Sequence, residues 1–177
     1  MKETSPEASR PRGRARGRDR PPAVIEYRRS AGIDDFVRRV AEATPLQLVE
    51  TERQGVAGSY LKDLAERMGV PAVRMYAMLG VPKATAEKKA AAAEQLGGSG
   101  GQAALGLARL LAIAQEIAGD STAADARGFD AAKWLGKWLE LPQPVLGGRR
   151  AADLIDTPTG LDVVARLLGS IASGSFQ

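Results

Sequence analysis

Three features of this chain have residue types and spacings that could do chemistry. They are the carboxylates Asp153, Asp156 and Asp162, the glycine-rich run LGGSGGQ at 96–102, and the alternating arginines from Arg10 to Arg20. Neighbouring carboxylates can act as an acid/base pair. Helix starts, however, attract aspartate for capping and dipole reasons, and that account suffices here. A glycine-rich loop can cradle phosphate, yet no strand precedes this one and no Lys-Ser or Lys-Thr follows it, so it reads as a linker. Histidine and cysteine are both absent. That removes the usual general base near neutral pH, imidazole and thiolate metal ligands, and disulfides. No catalytic residue, metal site or cofactor is expected, and the chain reads as one that binds rather than reacts.

The elements that must present binding residues follow from composition. Of 177 residues, 44% are hydrophobic but only 5% aromatic, so the core rests on Leu, Val, Ile, Ala and Met. Alanine and leucine abundance with few β-branched runs favours helices, and no alternating stretch long enough for a strand stands out. The predicted fold is all-α. No apolar run approaches the ~20 residues that cross a bilayer, and no apolar core follows the N-terminal charges. A soluble cytoplasmic protein without a membrane partner is expected.

The net charge of +4 is unevenly placed. Residues 1–31 carry the basic excess, with Arg10, Arg12, Arg14, Arg16, Arg18 and Arg20 set among Pro, Gly, Ala and Asp. With no apolar face to bury, this segment reads as a disordered tail. It is either a non-specific nucleic-acid arm that neutralises phosphates or merely a solvated terminus.

Two units are expected after it, at 32–95 and 103–177. Ile33, Phe36, Val37 and Val40 recur at helical spacing behind Asp34 and Asp35. Residues 54–59 form a glycine-bearing connector, and Ser59 stands where an N-cap belongs, ahead of Leu61, Leu64, Ala65 and Met68. Gly69–Val70 breaks that helix, and Pro71 suits the first turn of the next, in which Val73 or Met75, Met78 and Leu79 face inward. A further helix is predicted over 81–96. Residues 103–118 are almost uncharged and predict a central helix. Residues 129–140 predict another, with Trp134 and Trp138 one turn apart. A glycine turn at 147–148 and a short helix at 150–156 lead to a last helix. Thr157 caps it, and Val163, Val164, Leu167, Leu168 and Ile171 line its buried face.

Leu64, Ala65, Met68, Gly69, Val70, Met75 and Met78 meet the demands of a helix-turn-helix: a small crossing residue, a turn glycine and apolar contacts. As a DNA reader it offers Arg74 and Tyr76 to a groove, with Lys83, Thr85, Lys88 and Lys89 as phosphate partners. The alternative is a helix-turn-helix that serves only as scaffold.

The carboxyl end carries the most specific pattern: Trp138–Leu139, Pro142, Leu146–Gly148, Leu154–Ile155, Thr157, Gly160, Val164, Leu168, Ile171, Gly174 and Phe176, in that order and spacing. This resembles the toxin-binding domain of Xre/MbcA/ParS-type antitoxins, and the segment from Ser59 to about Ala92 is similar to the Xre-like half of that family. Gln143 departs from the family's usual Asn. Ala151–Ala152 stand where Pro-Leu is common. Ser170, Ala172 and Ser173 replace charged or His residues.

The resemblance implies an antitoxin partnered with a RES-domain toxin, an ADP-ribosyltransferase-like enzyme that consumes NAD or modifies a host protein with it. Such antitoxins cover the entrance to the toxin's NAD site with the C-terminal helix and tail. They often repress their own promoter by binding operator DNA, as a homodimer or a toxin–antitoxin hetero-oligomer. The toxin-binding residues expected here are Trp134, Arg149, Arg150, Ser170, Ser173, Gly174, Ser175, Phe176 and Gln177. In the tail, Ser173, Ser175 and Gln177 offer hydrogen bonds and Phe176 an apolar plug. From residue pattern alone, a frayed terminus with Phe176 folded onto the core is the favoured reading. Both tryptophans could be core; Trp138 is expected to be structural and Trp134 is the better surface candidate. The competing functional reading is an Xre-like transcription regulator whose C-terminal domain mediates oligomerisation or binds another protein.

Overall fold

A computed structural model describes residues 23–120 and 128–172. Eight α-helices lie among these residues: α1 Gly32–Ala41, α2 Pro45–Gln54, α3 Tyr60–Met68, α4 Ala72–Met78, α5 Lys83–Ala91, α6 Gly98–Asp120, α7 Ala131–Leu139 and α8 Pro158–Ala172. Two short strands, β1 Val56–Ala57 and β2 Gln95–Leu96, pair antiparallel, Val56 opposite Leu96 and Ala57 opposite Gln95. Among the described residues the regular structure is helical apart from this pair.

The middle of the molecule is α6, a helix of 23 residues that carries almost no charge until its last turns. Ala103, Ala104, Leu105, Leu107, Ala108, Leu110, Leu111 and Ala114 are all buried. An apolar helix of this kind needs neighbours around most of its circumference. α1 and α2 supply them from the first half of the chain, α7 and α8 from the second. One hydrophobic core therefore runs through both halves. The glycine run predicted as a linker is corrected here, because Gly98 opens α6 without a break. Glycine is needed for close approach: a Cβ on Gly101 would strike the Leu96 carbonyl of β2, and one on Gly106 would strike the Leu161 side chain of α8.

The predicted tail also ends earlier than expected. Residues 1–22 lie outside the described residues, but residues 23–28 pack against the helices without regular secondary structure, with Ile25 and Tyr27 buried. The Ile25 N–H donates to Thr51 Oγ1 at 3.0 Å, while Thr51 Oγ1 donates to the Gln47 carbonyl at 2.7 Å, so this buried threonine is satisfied on both sides. The Tyr27 hydroxyl donates to Asp63 at 2.8 Å. Its ring meets Phe36 and Tyr60 with centroids 5.6 and 5.1 Å apart.

Local signals account for most of the boundaries. α2 sits where apolar periodicity is weak and is set instead by a capping box. Thr44 Oγ1 accepts from the Gln47 N–H, the Gln47 side chain accepts from the Thr44 N–H, and Pro45 leads the helix. Gly69, at φ 67°, ends α3 in the left-handed conformation, and the Val70 N–H reaches the Ala65 carbonyl at 2.9 Å. Thr157 caps α8 as expected, its Oγ1 accepting from the Gly160 N–H at 3.1 Å.

Other expectations are revised. Ser59 makes no capping hydrogen bond; its neighbour Gly58 donates instead to the Glu94 carbonyl, so the β1–β2 pairing sets the start of α3. The helix predicted over 81–96 stops at Ala91, where the chain turns into β2. The helix predicted at 150–156 is a single 3-10 turn, Ala151–Asp153. Met75, not Val73, is buried in α4, and Ile171 is exposed on α8.

Tyr60 is wholly buried, and its hydroxyl finds no hydrogen-bond partner among the described residues. A buried donor left unmet is destabilising. Tyr60→Phe is therefore expected to raise unfolding stability by about 0.5–1.5 kcal/mol, read from urea midpoints; a loss would show that the hydroxyl has a partner.

Candidate functional site

The first and second halves of the chain meet where α7 lies on the helix-turn-helix. Gly136, in the middle of α7, sits against the Met68 carbonyl at the end of α3, and a Cβ there would clash with that oxygen and crowd Val70. Both ends of α7 are then tied by arginines. At its start, Asp130 caps the helix by accepting from the Ala132 and Lys133 N–H groups at 3.1 and 3.2 Å. Arg67 of α3 donates to the same carboxylate at 2.7 Å and to Asp34 of α1 at 3.1 Å. At its end, Glu140 accepts from two nitrogens of Arg74 in α4, the second at 3.0 Å, and from Arg150 at 3.3 Å. Arg150 in turn binds Asp153 through two nitrogens at 3.0 and 2.7 Å.

An aromatic strip runs outward along α7. Trp138 is 7% exposed and belongs to the core, Trp134 is half-buried, and Phe129 is 46% exposed. The tryptophan rings stack at 5.9 Å with 21° between planes, and Phe129 lies 6.0 Å from Trp134. Beyond α7 the chain makes an ordered turn. Pro142 bridges to Arg150, the Gln143 N–H donates to the Arg149 carbonyl at 2.9 Å, and the Gly148 N–H donates to the Gln143 carbonyl at 3.0 Å. The Gln143 side-chain amide donates to the Leu141 carbonyl at 3.2 Å, so this residue closes the turn itself. Yet the turn leaves Leu141 55% and Val145 59% exposed. Apolar side chains held out by a hydrogen-bonded backbone suit contact with another protein.

Among the residues expected to bind a toxin, Trp134, Arg149 and Arg150 lie on or beside this strip and turn. Arg149 is exposed, whereas Arg150 is engaged by Glu140 and Asp153. Ser170 lies farther along α8, where its hydroxyl donates to the Leu167 carbonyl at 2.6 Å. Ser173, Gly174, Ser175, Phe176 and Gln177 lie outside the described residues.

The residues expected to meet DNA are less uniformly available. Tyr76 is less available than expected: it is 4% exposed and packs with the core, and burial raises its phenol pKa. Arg74 is committed to Glu140, and Lys89 pairs with Glu94 at 2.7 Å. Lys83, Thr85 and Lys88 are exposed on α5. The structure adds two cations, of which the tail assignment hid Arg29, itself paired with Asp63 at 2.6 Å. Arg29 and Lys62 border a groove of about 440 Å³ between the N-terminal segment, α3, α4 and α5, which Ser59, Ala72, Tyr76 and Glu87 also line.

Comparison with known proteins gives a consistent picture. A sequence model of the antitoxin Xre/MbcA/ParS C-terminal toxin-binding domain matches residues 114–174. One of the antitoxin Xre-like helix-turn-helix domain matches residues 47–109. The gap between them falls inside α6, the helix both halves share. The chain is also 38% identical over 134 residues to a Prs ADP-ribosylating antitoxin of Sphingobium sp. (strain YBL2), an overlap covering 76% of this chain and 83% of that relative.

The tie at the start of α7 has a pH signature. The hydrogen bond from Arg67 holds the Asp130 carboxyl below its ordinary range, against partial burial, which acts the other way. Such a carboxylate stabilises the fold fully above its unfolded value of about 3.9 and loses that contribution as pH falls through its lowered native value. The drop in urea midpoint between pH 7 and pH 3 should therefore be smaller in Asp130→Asn than in the parent chain; an equal drop would remove Asp130 from the acid response.

Proposed function

The chain belongs to the Xre/MbcA/ParS antitoxin family, and on that premise we propose that it neutralises a cognate ADP-ribosylating toxin of the RES type by binding over the toxin's NAD site. As a member of a family of antitoxins it is not itself an enzyme. The observation that carries the reading is the match of residues 114–174 to a toxin-binding domain, supported by the relative named as an ADP-ribosylating antitoxin.

The division of labour follows from packing. α8 buries Val164, Leu167 and Leu168 against α6, which fixes the direction in which the chain leaves its last described turn. Ile171 is exposed near that end, and the segment 173–177 continues from it. In the proposed complex, Phe176 fills an apolar part of the toxin's cleft, while Ser173, Ser175 and Gln177 meet its polar groups. Trp134, Leu141, Val145 and Arg149 form a second contact area that orients the tail.

We further propose that the helix-turn-helix binds operator DNA next to the antitoxin's own gene. The match of residues 47–109 to the Xre-like helix-turn-helix domain supports this, together with exposed Lys62, Lys83 and Lys88 around α3–α5.

Co-purification with the product of an adjacent RES-domain reading frame, followed by an NAD-consumption assay, tests the first proposal. NAD consumption by the toxin should fall to background at stoichiometric antitoxin; undiminished consumption by a stable complex would refute active-site occlusion. Deleting Ser173–Gln177 should leave thermal unfolding unchanged and weaken inhibition by roughly tenfold or more, the worth of one anchoring side chain. Full inhibition by the truncated chain would move the inhibitory contact elsewhere.

A further inference from the structure

Arg74 is the sole charged residue of α4, the second helix of the helix-turn-helix. Met75, Tyr76 and Met78 are buried, and Val73 and Ala77 are the exposed side chains around it. Arg74 is thus the one charged donor that α4 can offer a phosphate. Its guanidinium instead meets both oxygens of Glu140, a residue 66 positions away in the half that matches the toxin-binding domain. Arg150 shares that carboxylate at 3.3 Å, and Asp153 stands 3.8 Å from Arg74 and 2.7 Å from Arg150. Two cations and two anions balance, and the Arg74 and Glu140 side chains are 32% and 30% exposed. The cluster is ordered enough to hold Arg74 in one geometry and open enough for another anion to reach it.

We propose that this cluster is an autoinhibitory latch: Glu140 withholds Arg74 from DNA, and duplex binding transfers the guanidinium from the carboxylate to a phosphate oxygen. The exchange is feasible because Glu140 keeps Arg150 after Arg74 leaves, so no carboxylate is stranded among half-buried groups. The latch rests on the DNA-binding reading above. It also places the restraint on α4 inside the half of the chain that matches the toxin-binding domain.

The test is fluorescence anisotropy of the full chain with a duplex from its own promoter and with a scrambled duplex, across a salt series. Glu140→Gln preserves shape and removes the charge. It should tighten promoter binding roughly fivefold or more and leave the slope of the salt dependence unchanged, since Arg74 reaches the same phosphate in both bound chains. In an Arg74→Ala background the same change should have no effect. Unchanged or weaker binding by Glu140→Gln, with the parent chain binding normally, overturns the latch alone. If neither chain binds either duplex, the DNA-binding reading falls and the latch falls with it. Hydrogen exchange on the unaltered chain gives a reading that no substitution can confuse. Saturating duplex should speed exchange at residues 138–143 and 150–154, and unchanged or slower exchange there counts against the proposal.

Discussion

Burial of α6 is the constraint on which the remaining structure depends. A helix of 23 residues with so little charge is stable in water only if other elements cover it, and both halves of the chain contribute to that cover. α1, α2 and β1 cover it from the first half of the chain, α7 and α8 from the second. The two close approaches, at Gly101 beneath β2 and at Gly106 beneath Leu161, set how near those layers come. The helix-turn-helix and the toxin-binding domain are consequently parts of one packed body, because the helix that would have to bend between them is the core of both.

With that frame in place, the electrostatic ties of α7 have a role other than stability. Ion pairs with side chains about a third exposed are individually worth about 0–1 kcal/mol. Covering Leu135, Gly136, Trp138 and Leu139 contributes far more. What the arginines add is register: Arg67 fixes the start of α7 and Arg74 its end, while Gly136 sets the separation. A helix placed at three points along nine residues presents Trp134 and the following turn in one orientation.

How much of this was legible from residue order depends on how local the cause is. Thr157, Pro158 and Gly160 act within one turn, so the start of α8 could be read directly, as could the Gly69 break between α3 and α4. The glycines at 97–101 misled because their reason lies elsewhere in the chain: composition says linker, whereas the Leu96 carbonyl beside Gly101 requires a residue without a side chain inside a helix. Ile25 and Tyr27 were hidden by the arginine tract before them, since two apolar residues in an extended segment carry no period. The same tract masked Arg29. Arg74 was identifiable by type as a groove contact, but its commitment to Glu140 is a contact across 66 residues that no local pattern encodes. Tyr76 shows the converse. On a helix as short as α4 its place between inward-facing Met75 and outward-facing Ala77 is ambiguous until α5 is docked.

Leu141 and Val145 raise the remaining physical question, since exposing them in isolation brings no benefit. The turn carrying them could have shielded them by collapsing onto α7, but its backbone is already committed: Gln143 bonds Arg149, Gly148 bonds Gln143, and the Gln143 amide closes on Leu141. Arg150, held between Glu140 and Asp153, pins the far strand of the turn. Rigidity here means that a partner gains the burial of these side chains without also ordering the loop that bears them. A preformed apolar ledge beside the aromatic strip suits contact with a protein partner, because a surface that must fold on arrival binds more weakly for the same area. The cluster that pins the ledge is also the one that holds Arg74, so the order that favours protein contact and the order that restrains α4 have a single physical origin.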